Sequence, residues 1–150
     1  MIKPMGADFQ FQQDQRFDYR FLRNKIEHPT IVIADTAAAT AANYGVFFIA
    51  PAAGVFEEVW ETHKTAGTNG GAVTVDVEVL TSGQALDAGY VVLSTPLSLK
   101  STANTTQRGT LSSDISKLQF ARGDRFALKD AGTLTDVAHV CVTVAIRYKM

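Results

Sequence analysis

From residue 30 onward the chain is organised in short runs where apolar and polar positions alternate. Val73, Val75, Val77 and Val79 are interleaved with Thr74, Asp76 and Glu78. This period of two predicts a strand with one face buried and the other wet. Near the end, Val140, Val142, Val144 and Ile146 alternate with Cys141, Thr143, Ala145 and Arg147 in the same way. Burying each such side chain is worth about 1.5–3 kcal/mol, so a one-residue slip, which exchanges the faces, is strongly disfavoured. Ile31-Val32-Ile33 and Val46-Phe47-Phe48-Ile49 are shorter apolar runs, the second stopped by Pro51. Residues 55–62, 90–93, 105–111 and 125–128 complete about eight predicted strands, separated by turns of Gly, Asn, Asp and Thr. Helix signals are weak after residue 30. Residues 37–42 have the propensity but no amphipathic face, and residues 113–118 predict a single turn. The pattern is that of an all-β sandwich or barrel.

Residues 1–29 stand apart from this pattern and read as an N-terminal arm to a β domain spanning 30–150. The arm holds Phe9, Phe11, Phe17, Tyr19 and Phe21, five of the fourteen aromatic residues, among nine charges that include Arg16, Asp18 and Arg20. Two geometries fit it equally. Phe17, Tyr19 and Phe21 alternate with polar residues, as in an extended strand. Phe17, Phe21, Leu22 and Ile26 also share one side of a helix that Asp14 would cap and Pro29 would end. In either form, an aromatic and charged segment calls for a surface, on its own domain or on a partner.

Composition narrows the class without naming a function. Fourteen Lys and Arg against fifteen Asp and Glu give a formal charge of −1. That removes the electrostatic case for nucleic acid, which needs clustered positive charge. Hydrophobic residues at 46% and charged ones at 19% suffice for a core and argue against global disorder. The single cysteine, Cys141, rules out an internal disulfide and a multi-cysteine zinc site. The first residues do not read as a secretory signal, and the apolar stretches are too short to cross a bilayer as helices, so no membrane partner is expected. The Asn104-Thr105-Thr106 sequon accordingly carries no expectation.

Candidate chemistry is sparse. His28, His63 and His139 lie far apart in sequence. Glu57, Glu58 and Glu61 beside His63 come nearest to the ligand set of a metal-binding cupin barrel, but solvated strand residues explain them more simply. His139 and Cys141 fall on one face of a strand, yet lie nearly two residue rises apart, and no oxyanion pocket is in evidence. A small, partly buried cysteine is the better reading. Residues 65–71 are glycine-rich but lead into a strand and lack the Lys-Ser/Thr of a phosphate loop, which predicts a hairpin turn. Arg122-Gly123-Asp124 spells an integrin-recognised tripeptide but reads as a turn before a strand. Trp60, flanked by Glu58 and Thr62, has the chemistry to stack on a sugar, although core or interface tryptophans are commoner. No catalytic set, metal site or cofactor site is predicted.

Several segments are familiar in order and spacing. Ala41-Ala42-Asn43-Tyr44-Gly45-Val46-Phe47-Phe48-Ile49-Ala50-Pro51, Glu61-Thr62-His63-Lys64-Thr65-Ala66-Gly67-Thr68 and Gly71-Ala72-Val73-Thr74 resemble segments of the head decoration proteins of tailed bacteriophages. Residues 100–111, Gly123-Asp124-Arg125-Phe126-Ala127-Leu128 and Gly132-Thr133-Leu134-Thr135 are similar to the same family, so that the resemblance spans roughly residues 30–148. It implies a jelly-roll-like β-sandwich, assembled as a homotrimer on the outer surface of a phage head. Such a protein works as a non-enzymatic cement or fibre platform, with no cofactor. The implied partners are the major capsid protein and, for a platform, a fibre protein. The arm is not part of the module, and its Phe9, Phe11, Arg16, Phe17, Tyr19 and Phe21 are the expected partner-binding residues. Two other classes compete. A carbohydrate- or receptor-binding module would expose aromatics around Trp60 or Tyr90, and a metal-dependent enzyme would need converging ligands.

Overall fold

The computed structural model describes residues 26–33, 45–134 and 136–149. The arm up to Lys25 and the alanine-rich residues 37–42 lie outside them. The described residues form two antiparallel sheets packed as a sandwich. In the first, β1 (Ile26–Glu27) and β2 (Thr30–Ile33) both pair with β11 (Val140–Tyr148). Strand β11 pairs in turn with β4 (Gly54–Thr62), whose other side carries the short β8 (Gln107–Arg108) and β9 (Gln119–Phe120). In the second sheet the order is β3 (Val46–Ile49), β10 (Arg125–Ala131), β5 (Thr74–Leu80) and β6 (Tyr90–Val91), with β7 (Leu97–Ser98) also on β5. The all-β sandwich expected from the alternation is the fold.

One apolar core lies between the sheets. Strand β11 contributes Val140, Val142, Val144, Ile146 and Tyr148, and β5 contributes Val75, Val77 and Val79, all buried as the alternation predicts. Phe126 of β10 is fully buried at the centre of an aromatic cluster, with ring centroids 4.7 Å from Phe56, 4.9 Å from Phe120 and 5.2 Å from Phe48. Edge-to-face and offset rings at this spacing add about 0.5–1.5 kcal/mol per pair beyond their burial.

Two irregularities break the period of two. Opposite β11, Ala145 faces Glu58 and Ile146 faces Phe56, so Glu57 is the extra residue of a bulge. The bulge lets Phe56 and Val59, three positions apart, both point into the core. Opposite β10, Phe126 faces Phe48 and Ala127 faces Val46, leaving Phe47 as the extra residue. Phe47 and Phe48, although adjacent, then both reach Phe126.

The turn expected at residues 113–118 is a short 3-10 helix, Ile115–Leu118, capped by Asp114, whose carboxylate accepts from the Ser116 N–H. Residues 65–71, expected to form a hairpin turn, instead join β4 of one sheet to β5 of the other. The reason is that β4 finds its neighbours in β11, β8 and β9, so the chain must cross the sandwich before β5 begins. Thr65 bridges to Ala138, and the Gly67 N–H donates to the Leu99 carbonyl at 2.9 Å. Residues 122–124 are a turn as expected, with Gly123 at φ +89° and the Asp124 carboxylate accepting from the Ala121 N–H at 2.7 Å.

Candidate interaction surfaces and buried polar sites

The six aromatic and basic residues expected to bind a partner, Phe9, Phe11, Arg16, Phe17, Tyr19 and Phe21, lie outside the described residues. The described chain resumes at β1, which is extended and joins the first sheet, with Ile26 opposite Arg147 and Glu27 opposite Ile146. The Tyr148 hydroxyl donates to Glu27 Oε2 at 2.6 Å. Burial first, and the neighbouring Glu27 carboxylate second, hold that phenol's pKa well above its ordinary value.

Polar groups of β5 correct the sequence reading. Asp76 and Glu78, expected on a wet face, are 3% and 0% exposed. Residues 81–93 fold back over that face, and the two carboxylates hold them there through backbone N–H groups. Glu78 accepts from Asp87 at 2.9 Å and from Gly89 at 3.3 Å. Asp76 accepts from Leu93 at 3.3 Å and from its own neighbour Val77 at 2.7 Å. Burial pushes the Asp76 carboxyl up to about 6, against the opposing effect of those bonds and of the nearby Lys129 ammonium. Arg125 and Lys129 pin the same loop from β10, donating to the carbonyls of Gln84 and Asp87.

A second correction concerns Glu61 and His63, read as solvated strand residues. Both are 1% exposed. His63 Nδ1 lies 2.8 Å from Glu61 Oε1, and Nε2 lies 3.2 Å from the Ser101 carbonyl. Gln107 Nε2 donates to Glu61 Oε2 at 2.6 Å and to the Ser98 carbonyl at 2.9 Å. A carbonyl only accepts, so Nε2 carries a hydrogen and one proton sits between the imidazole and the carboxylate. Burial raises the pKa of Glu61, offset in part by His63 and Gln107. The group ties β4 to β8 and to residues 98–101. Sequence alone carried one signal for it, since Glu61 and His63 continue the inward face that starts at Val59.

Other candidates separate. Glu57 and Glu58, beside the bulge, form ion pairs with Arg147 and Arg108. A shallow recess of about 360 Å³ lies there, lined by Glu57, Arg108, Gly109, Thr110 and Leu111. Trp60 is half-buried, opposite Thr143 on one side and Arg108 on the other. Tyr90, the other aromatic considered for a sugar site, spends its hydroxyl on the Gln119 carbonyl. His139 and Cys141, expected on one face of a strand, do not share one, because β11 begins at Val140 and His139 sits before it at φ +51°. Cys141 is a partly buried free thiol, as expected. Among the described residues, no three His, Cys, Asp or Glu side chains converge as a metal-binding group.

The remaining surface feature is apolar. Among the described residues, the exposed large aliphatic ones are Ile26, Val32, Val46, Ile49 and Ile115. Of these, Val46 and Ile49 lie on β3, the edge of the second sheet, with Ile49 62% exposed.

No protein-family model matches the chain, and no curated protein does. Solved structures do. A chain in the capsid of Ralstonia phage GP4 superposes with a TM-score of 0.62 at 15% identity, over 85% of this chain and 84% of that one. A chain of the cyanophage Pam1 capsid asymmetric unit gives 0.43 at 14% identity, over 83% and 84%. A subunit of the Bacillus endospore appendages, a family of disulfide-linked pili, gives 0.40 at 17%, over 84% and 91%. The last two superpositions are too loose to carry an argument. The first establishes a shared fold.

Proposed function

We propose that this chain is a structural protein of a phage virion, a homotrimeric decoration or cement protein bound to the outer surface of the head. The observation that carries this reading is the fold shared with a chain of the Ralstonia phage GP4 capsid across 85% of the protein. The resemblance of residues 30–148 to head decoration proteins points the same way. The polar groups support it too. Buried acids and the His63–Glu61 pair hold loops and strands together instead of converging on a cleft, which suits a rigid body that fits against a lattice. The major capsid protein is the partner, and a fibre protein is a further one if the trimer serves as a platform.

Attachment falls to the arm. Three copies of Phe9, Phe11, Arg16, Phe17, Tyr19 and Phe21 on one trimer bind with high effective concentration once the first engages, and avidity gains of about 10²–10⁴ follow from individually weak contacts. The test is a mass measurement in solution followed by co-sedimentation with undecorated heads of the phage that encodes the protein. A three-copy mass and saturable binding, lost when residues 1–25 are removed, are expected. Because the net charge is only −1, binding should survive moderate salt better than a purely ionic contact would. A chain that ignores such heads, or binds a glycan array instead, overturns the reading.

A further inference from the structure

Sheet edges expose a row of unpaired N–H and C=O groups, and proteins guard them with short strands, charges or proline. Most edges of this sandwich are guarded. Strands β6, β7, β8 and β9 are two residues long. The edge formed by β1 and β2 is interrupted by Pro29, whose carbonyl accepts from the Val144 N–H. Two four-residue edge strands carry no charge of their own, β2, with Val32 61% exposed, and the more aromatic β3. Strand β3 pairs with β10 on one side and with no other described strand. Its four residues are Val46, Phe47, Phe48 and Ile49, and no charged residue occurs anywhere from Thr36 to Phe56. Val46 and Ile49 are 39% and 62% exposed, and Phe47 and Phe48 are only half-buried. The edge is apolar and aromatic, and no described strand covers it.

The arm leads into the sandwich beside the end of β11. Strand β1 runs antiparallel to β11, with Ile26 opposite Arg147. Strand β11 ends at Tyr148. One step further back along that register uses up its last residue, so the register of β11 offers no ladder position to residues 17–21. These residues nevertheless carry the strictest alternation in the arm, with Phe17, Tyr19 and Phe21 on one face and Asp18 and Arg20 on the other. A strand of this kind needs an edge, and the extended backbone of β1 delivers it in strand geometry. The five steps from Phe21 to Ile26 span at most about 18 Å, enough to reach a touching neighbour.

We propose that residues 17–21 of one copy add as a strand to the free edge of β3 in a second copy, each copy giving one arm and receiving one. Aromatic side chains of the incoming strand complete the burial of Phe47 and Phe48, while Asp18 and Arg20 supply the guarding charges that β3 lacks. Donor and acceptor patches differ, so arms passed head to tail close as a ring, with three copies on the decoration-protein reading, whereas reciprocal exchange between two copies, or β3 pairing with another β3, would stop at two. This deepens the decoration-protein reading, resting on it only for the number three, and narrows the attachment residues to Phe9, Phe11 and Arg16, since Phe17, Tyr19 and Phe21 join the neighbouring copy.

The test uses full-length chains without capsids, so its failure is separable from failure of head binding. Light scattering should give a three-copy mass for the wild type. Val46→Lys/Ile49→Lys, at exposed positions, should drop to one copy that still unfolds cooperatively. Phe17→Ser/Tyr19→Ser/Phe21→Ser should do the same. Mixed together, these two variants should form a one-to-one pair, because the serine chain keeps its edge and the lysine chain keeps its arm. In a Cys141→Ser background, Tyr19→Cys in one chain should form a disulfide with Val46→Cys in another. A one-copy wild type, either variant retaining the wild-type mass, or a mixture that stays unpaired overturns the proposal.

Discussion

His63 Nδ1 lies 2.8 Å from Glu61 Oε1, and neither side chain has contact with solvent. Taking two such groups out of water is costly, and the cost is recovered only because each has further partners, Ser101 for the imidazole and Gln107 for the carboxylate. The pair closes the end of β4 against the loop that leads to β8.

Removing one partner should therefore cost more than removing both. His63→Ala leaves a buried carboxylate facing a void and is expected to lose about 3–5 kcal/mol in urea unfolding. His63→Leu/Glu61→Leu should lose less than either single leucine variant alone. A double-mutant cycle with no coupling would contradict the shared-proton arrangement.

Asp76 sets a pH dependence with a definite sign. Its ordinary pKa is 3.8 and its native value is about 6. Between those values the native chain holds a proton that the unfolded chain has lost, so stability falls as pH rises from about 4 to about 6. At about 1.4 kcal/mol per pH unit, the loss attributable to this group is at most about 3 kcal/mol. Asp76→Asn keeps an oxygen for the Val77 and Leu93 N–H groups and does not titrate. Unfolding free energies of the two proteins should therefore diverge across that window, with only the wild type losing this contribution. Parallel profiles would refute the assignment.

Glu78 holds residues 81–93 by two backbone bonds, and a buried N–H left without its partner costs about 1–3 kcal/mol. Glu78→Ala should destabilise by about 2–6 kcal/mol, and hydrogen exchange should accelerate first at Asp87 and Gly89. Uniform acceleration across β5 would mean that the carboxylate supports the strand and not the loop.

Gly132 and Gly83 separate backbone strain from steric overlap. Both have positive φ, +90° and +83°, but a Cβ at Gly132 would lie 1.7 Å from the Ala72 carbonyl oxygen, while one at Gly83 meets open space. Gly83→Ala should cost about 1 kcal/mol. Gly132→Ala should cost well over 2 kcal/mol. Equal melting temperatures would show that the 71–73 backbone yields freely.

Strands β5 and β11 were legible because a period of two is written directly into their valines, and the turn at Gly123 because its residue types demand one. The bulges at Glu57 and Phe47 were not, since each breaks the very period by which a strand is read. Asp76 and Glu78 look like solvated residues in a one-dimensional reading, and Glu61 and His63 carry only the signal of following Val59 on its inward face. Carboxylates prefer water unless something replaces it, and the replacement here is backbone N–H groups and side chains from 9 to 46 residues away in sequence. The glycine-rich stretch at 65–71 fits a hairpin and a crossing equally well, so only the pairing of β4 with β11 decided between them. Sequence by itself thus determined that the chain forms strands and which valines they bury, because that information is local and repeats every second residue. Which polar groups are sealed inside, and which edge is left open at β3, only the packed sheets decided, because covering a strand depends on partners that local pattern does not name.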